Sequence, residues 1–461
     1  MLRVWFYRFA RDRKANVAVI FAIMMVPTVY LLGMALDFTQ AQRRQSQLDA
    51  AADAAAIAAV TPTMMAQNTS VAQTTATNIF NATANSLTTG GYLPSAPNVT
   101  ITVGNVGLVR TATVTYTAKS TNNFASLLGP QGWPIQGTAT ASASGAPNIN
   151  FYLLLDDSPS MGIGATATDI SNLITATKNQ PSGSASCGFA CHETHPNLDS
   201  GASSSTKDNL SIARANNVTL RIDLVADATS SLMSTAQATE TQQNNTYKAA
   251  IYTFDYGVNT IYAPSGLPSA DLSTAATQAA NNIAILQVDH QNCVISGSCS
   301  TDYGTDIEGA LTSVNSLMPA PGGGTNQTGD TPQEVVFLVT DGVDDKLVST
   351  SSSCSGTPIA TGSKYRCQQP INTSVCTTIK NRGIRIAVLY TEYLQLPTNS
   401  WYNTYVAPYN NPSSSSGQIA QNAQTCASPG LFYDVQSGGD ITAALTALFL
   451  KVVETAPHLT N

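Results

Sequence analysis

The chain has 461 residues, enough for two or three domains, with 43% apolar and only 11% charged side chains. Its formal net charge is −7, and beyond residue 14 it carries 16 basic against 27 acidic residues. A body this acidic argues against nucleic acid as a partner.

Residues 1–14 form a basic tail with Arg3, Arg8, Arg11, Arg13 and Lys14. They precede ANVAVIFAIMMVPTVYLLGMAL, residues 15–36, which contains no charge. As a helix this stretch measures about 33 Å at ~1.5 Å per residue, enough to cross a bilayer. Basic residues on its N-terminal side place that end in the cytoplasm, and Pro27 is tolerable in a membrane helix. The rival reading is a cleaved signal peptide, whose apolar core would span only ~7–15 residues. The length favours a retained, single-pass anchor. All eight cysteines (Cys187, Cys191, Cys293, Cys299, Cys354, Cys367, Cys376 and Cys426) lie beyond residue 186. An even number beyond an anchor points to disulfides in an oxidising compartment, a periplasm or the cell exterior.

The Ala-rich segment 37–60 holds no helix breaker, so the membrane helix is expected to continue to about Pro62. Residues 63–87 suggest a weaker helix anchored by Ile79 and Phe80. GGYLPSAPN marks a turn. VTITV (99–103), RTATVTYTAKS (110–120) and IQGTATASAS (135–144) alternate at period two, as half-buried strands do. Residues 37–147 therefore read as a helical stalk with a small α+β module of pilin-like type.

From residue 148 the pattern changes. INFYLLL (149–155), YKAAIYTF (247–254), EVVFLVT (334–340) and GIRIAVLY (383–390) are near-continuous apolar runs, typical of parallel strands buried on both faces. Helical stretches at 221–233, 307–318, 373–383 and 440–454 alternate with them. This predicts an α/β fold with a Rossmann-like open parallel sheet over 148–456.

The first run ends in DDSPS, giving D-x-S-x-S at Asp156, Ser158 and Ser160. Ligands of open α/β sheets gather at the carboxyl ends of strands. GTDIEGAL puts Thr305 at a helix start, and FLVTDG puts Asp341 after another central strand. The set is two carboxylates and three hydroxyls, which suits a hard cation such as Mg2+, with Mn2+ or Ca2+ as alternatives. A helix cap would explain Asp156 and Ser158 alone, but not Thr305 and Asp341. Asp157 occupies an x position, is not counted as a ligand, and reads as a solvated loop charge ahead of a group that tunes the site. An aspartyl phosphatase would need D-x-D where Ser158 stands. No G-x-S-x-G elbow accompanies His192, His195, His290 or His458, so a binding protein is expected rather than an enzyme.

On these motifs segment 148–456 resembles a von Willebrand factor type A domain. The resemblance implies a metal-ion-dependent adhesion site at Asp156, Ser158, Ser160, Thr305 and Asp341, with one coordination position open to an acidic group of a ligand. The N-terminal stretch RDRKANVAVIFAIMMVPTVYLLGMALDFTQAQRRQSQLDAAADAAAIAA resembles the start of TadG-like proteins of the tight-adherence (Flp) pilus system. That implies a bacterial inner-membrane protein with a periplasmic C-terminal domain, exported on the pilus or retained. Its partners would be pilus proteins or a surface ligand offering an acid. The two roles it implies are a pilus adhesin or minor subunit and, alternatively, an inner-membrane assembly scaffold. The sequence lacks the glutamate a few residues beyond a glycine cleavage point that processed Flp pilins carry, which puts prepilin processing in doubt.

Four insertions, 162–206, 286–304, 344–368 and 391–412, are expected to rise on the metal face. In the last, Trp401, Tyr402, Tyr405 and Tyr409 stand among Asn, Ser and Thr, a composition suited to adaptable binding surfaces, or to a loop anchored on its own aromatics. CGFACHETH (187–195) reads as a disulfide between Cys187 and Cys191 or to other loops, ahead of zinc binding with His192 and His195. Cys293 with Cys299 and Cys354 with Cys367 read as local staples. Cys376 and Cys426 read as a tie at the end of the domain.

Overall fold

The computed structural model describes residues 15–124 and 132–454, apart from 183, 244, 300, 301, 303, 394, 397, 398, 411–416 and 437. The basic tail, on which the expected orientation rests, lies outside the described residues. The chain divides into two compact units, with the boundary between Gly145 and Ala146.

The first unit begins with α1 (Ala15–Ala59), one helix that runs through Pro27. Val17, Ile20, Phe21, Ile23, Met24 and Val26 are all more than half exposed. The helix contains a stretch long and apolar enough to cross a membrane. Beyond Asp37 the helix gains a buried face through Leu48, Ala52, Ala55 and Ala59. Small residues there let α2 (Thr69–Thr89) approach closely. Asn68 caps α2 by accepting the Val71 amide at 3.0 Å. Three antiparallel strands, β1 (Asn98–Val106), β2 (Val109–Ser120) and β3 (Trp133–Ser144), complete the unit in the order β1-β2-β3. Alternation sends Ala112, Val114 and Tyr116 inward against Phe80. The Tyr116 hydroxyl donates to Asp49 at 2.6 Å. Gly137 is required there, because a Cβ would stand 2.2 Å from the Asp49 carboxylate.

The second unit is built on a six-stranded sheet. Its strands are β4 (Ile149–Asp156), β5 (Tyr247–Phe254), β6 (Val258–Tyr262), β7 (Gln333–Thr340), β11 (Arg385–Thr391) and β12 (Phe432–Val435). The order is β12-β11-β7-β4-β5-β6, parallel except for the edge strand β6. Phe151, Leu153 and Leu155 of β4 face one core, which holds α3 (Arg221–Gln243), α4 (Leu272–Asn282) and α8 (Ile441–Glu454). Tyr152 and Leu154 face the other, which holds α5 (Ile307–Leu317), α6 (Thr373–Asn381) and α7 (Gln418–Cys426). With both faces covered, every residue of β7 is buried, the reason its centre, VVFLV, is an unbroken apolar run. This is the expected doubly covered α/β architecture. The chain winds outward from β4 in both directions, so the crevice beside β4 and β7 is the topological switch point.

Residues 344–368, expected as an insertion, form most of a second, separate sheet. It comprises β8 (Val343–Val348), β9 (Ile359–Thr361) and β10 (Lys364–Pro370), ordered β8-β10-β9 and antiparallel. The Cys354–Cys367 disulfide staples it.

Candidate metal centre

The register of the sheet assembles the site. Leu155 of β4 pairs with Val339 of β7, so the strands end side by side. Asp156 Oδ1 accepts the Ser158 amide at 3.1 Å and the Ser158 hydroxyl at 2.5 Å, while Oδ2 accepts the Thr340 hydroxyl at 2.6 Å. The Ser158 and Ser160 hydroxyls lie 3.0 Å apart. Gly342, at φ +77°, turns the chain directly after Asp341, and its amide donates to the Thr340 hydroxyl at 3.0 Å. Asp341 Oδ1 accepts the Val343 amide at 3.3 Å, whereas its buried Oδ2 has no hydrogen-bond partner. Thr305 is buried and tied to Asp345 by paired backbone hydrogen bonds of 3.1 and 2.7 Å. Thr305 and Ser160 line one cleft of about 620 Å³.

Asp156 and Asp341 are both fully buried. Burial, reinforced by the Asp341 charge, pushes the Asp156 carboxyl well above its ordinary range. Burial also raises Asp341, while the Ser160 hydroxyl and the Arg221 guanidinium pull the other way. Two mutually repelling buried carboxylates and an orphaned oxygen are a site short of positive charge even with Arg221 nearby. All the donors are oxygen, so the residues present fit a hard divalent cation.

Two contributors escaped the sequence reading. Thr340 orients Asp156. Arg221 is buried at the start of α3 and donates from Nη2 to the Glu392 carbonyl at 2.9 Å. Its charge faces Asp341 and, more weakly, Asp156. Asp157 corrects an expectation. It is 6% exposed, its backbone is bonded to Phe254 and Leu286, and burial raises its pKa to about 7. It is an enclosed group, not a solvated one.

The neighbouring charges are paired. The Lys346 ammonium lies 3.2, 3.0 and 3.3 Å from Asp306, Glu308 and Asp344. Arg366 binds Asp345 at 2.8 and 2.7 Å and Asp302 at 3.3 Å, and lies over the Trp401 ring at 5.0 Å.

Trp401 and Tyr402 line the cleft. Tyr405 packs on Trp401 with ring centroids 4.5 Å apart, at second remove from it. The Tyr409 hydroxyl donates to the Ser355 carbonyl at 3.4 Å, and Tyr409 is not among the described residues lining the cleft. The segment is thus partly cleft wall and partly anchored on its own aromatics.

Cys293 is bonded to Cys299, Cys354 to Cys367 and Cys376 to Cys426. Cys187 and Cys191 are thiols, not the expected bridge. Cys187 Sγ accepts the Phe189 amide at 3.4 Å, and Cys191 lowers its pKa through a hydrogen bond. The histidines weighed with them point elsewhere: His192 pairs with Asp208 at 3.0 Å and His195 with Asp289 at 3.4 Å. Asp289, His290 and Cys293 bring ligand atoms within 4.8 Å of one another, but the Cys293 sulfur is spent on Cys299.

Residues 15–68 match the family model "Putative Flp pilus-assembly TadE/G-like", in agreement with the resemblance of the N-terminal stretch. No curated protein matches the chain. Among solved structures it is similar to the PilB minor pilin from Streptococcus sanguinis, with 11% identity over 78% of each chain and a TM-score of 0.34. It is also similar to the pilus adhesin SpaC from Lactobacillus rhamnosus GG, with 9% identity over 78% of this chain and 34% of that one, at 0.33. A von Willebrand factor type A protein from Catenulispora acidiphila gives 10% identity over 78% of this chain and 50% of that one, at 0.26.

Proposed function

We propose that this chain is a metal-dependent binding component of a Flp-type pilus. It is anchored by α1 in a bacterial inner membrane, with the N-terminus cytoplasmic and the second unit periplasmic or exported. Asp156 and Asp341 would hold Mg2+, or Mn2+ or Ca2+ in its place, with Ser158, Ser160 and Thr305 supplying neutral oxygens. A cation so held supplies electrophilic attraction for an acidic group of a partner protein or surface. Two carboxylates balance its charge, and neutral hydroxyls leave it able to attract a further anion. The observation that carries the reading is the orphaned, buried Asp341 Oδ2 beside Asp156 at the switch point of the sheet. The pilus assignment is supported by the family match over residues 15–68.

The test is surface attachment by cells carrying the native chain or Asp156→Asn, assayed with Mg2+ and with EDTA, and with sheared pili probed for the protein. Mg2+-dependent attachment lost in the variant, with equal amounts of chain on pili, is expected. Attachment indifferent to both EDTA and the substitution would sink the adhesion role.

A further inference from the structure

Cys187 and Cys191 take no part in the metal centre, and they differ from the other six cysteines in two ways. The six are closed into bridges. Each bridge has at least one sealed end, since Cys293, Cys367, Cys376 and Cys426 are 0% exposed. Cys187 and Cys191 are thiols, only partly buried, and both line the cleft of about 620 Å³. That volume lies in the range of pockets that take a small ligand, roughly 300–1,000 Å³. Sealed bridges resist thiol–disulfide exchange, whereas a pair that solutes reach is open to it.

The loop holds the two sulfurs together. The Thr177 hydroxyl accepts the Cys187 amide at 2.9 Å and lies 3.2 Å from the Cys187 carbonyl. At the other end the Cys191 carbonyl accepts the Leu210 amide at 3.1 Å. Between them the Ala190 amide donates to the Gly162 carbonyl at 2.8 Å, and the Gly188 carbonyl accepts the Gly164 amide at 3.3 Å. Within this frame the Cys191 thiol donates a hydrogen bond to Cys187, so the sulfurs are already neighbours. They are not equivalent. The bond from Cys191 and the Phe189 amide, 3.4 Å from Cys187 Sγ, favour the Cys187 thiolate against the effect of burial. The bond it gives, its burial, and the Glu193 and Asp199 carboxylates keep the proton on Cys191.

We propose that Cys187 and Cys191 form a thiol–disulfide exchange site, with Cys187 attacking and Cys191 resolving, whose substrate is a small disulfide that reaches them through the cleft. The Cys187 thiolate attacks one sulfur of that disulfide, its S–S bond breaks, and the first half leaves as a thiolate. Cys191 then loses its proton, attacks the Cys187 sulfur and expels the second half. The two protons of the pair end, by way of solvent, on the two leaving sulfurs. The pair is oxidised by two electrons and the substrate is reduced to two thiols. An excess of the small thiol drives the same steps backwards.

The experiment is a redox titration. The purified full chain in detergent is equilibrated with graded ratios of reduced to oxidised glutathione, free thiols are alkylated, and the state of each cysteine is read by peptide mass spectrometry. The bridge between Cys187 and Cys191 is expected to open and close across the series while the other three stay closed. In oxidised glutathione alone, Cys191→Ser should accumulate one glutathione adduct, on Cys187, and Cys187→Ser should form its adduct about tenfold more slowly. A bridge between Cys187 and Cys191 that resists reduction as the other three do would make it a fourth structural bridge and overturn the proposal. So would thiols that stay free in oxidised glutathione, or equal adduct rates in the two variants. The titration itself uses the native chain, so it decides the matter even where a variant fails to fold.

Discussion

Removing the divalent cation from the purified chain in detergent is expected to lower the melting temperature of its second unit. A cation present at a hundred times its dissociation constant stabilises the state that binds it by ~2.7 kcal/mol. The unit spans about 310 residues. At ~2.1 cal/mol/K of unfolding entropy per residue this converts to a shift of about 4 °C. The sign with pH follows from the buried carboxylates. Asp156 and Asp341 both have folded pKa values raised above the ordinary range. In EDTA their contribution is therefore most favourable at low pH and declines as pH rises above the unfolded value of ~3.9. Mg2+ competes with those protons, so the gain from Mg2+ should grow over the same rise. Asp156→Asn and Asp341→Asn should each abolish the gain. In EDTA neither should melt much below the native chain, because each removes one of two repelling charges. The assay is differential scanning fluorimetry with Mg2+, Mn2+, Ca2+ or EDTA at pH 5, 6.5 and 8. A shift that persists in both variants, or no shift with any of the three ions, would refute the reasoning.

Glu334 is 1% exposed, and burial raises its pKa to about 7. Its penalty is absent below the unfolded value, builds between about pH 4.5 and 7, and is constant above that. Glu334→Gln, which keeps the acceptor for Asn150, should stabilise the chain by up to about 3 kcal/mol at pH 8 and hardly at pH 4.5. Equal denaturation midpoints at pH 8 would contradict it. The Cys376–Cys426 bridge closes a loop with a sequence separation of 50. Replacing both cysteines by serine should cost about 4 kcal/mol on chain-entropy grounds, read as a lower urea midpoint; an unchanged midpoint counts against that account. Phe80 is fully buried against Tyr116. Phe80→Ala should cost about 3–5 kcal/mol and expose the first unit to limited proteolysis, and a proteolytic pattern like that of the native chain would show the core is misassigned.

The sheet of the second unit was legible because parallel strands covered on both faces leave unbroken apolar text, as in FYLLL and VVFLV. The acids that break those runs therefore stood out. What stayed hidden was pairing. Asp157 looked like Asp156's solvated neighbour because a sequence does not show the Phe254 and Leu286 backbones bonded to it. VDDKLV and KYRCQQP lie largely within 344–368, which read as a loop insertion from its place after a central strand. In the fold their charges are consumed internally, Lys346 by three carboxylates and Arg366 by two. Trp401 and Tyr409 looked alike in one aromatic segment, yet one lines the cleft and the other bonds to Ser355.

The same distinction explains the metal centre. Asp156 and Asp341 could be picked out by type and by their positions at strand ends, but their meeting depends on β4 lying beside β7 in one register. That register carries Thr340 to Asp156, and a shift of one residue would send the Thr340 hydroxyl to the opposite face. Arg221 comes from a helix start outside both strands, so no spacing rule could have marked it. Its buried charge bears on how tightly the carboxylates hold a cation. It steadies them when they are bare and competes when they are filled. Replacing Arg221 by a neutral residue should therefore lower stability in EDTA while sharpening the response to Mg2+, a combination that simple loss of packing would not produce.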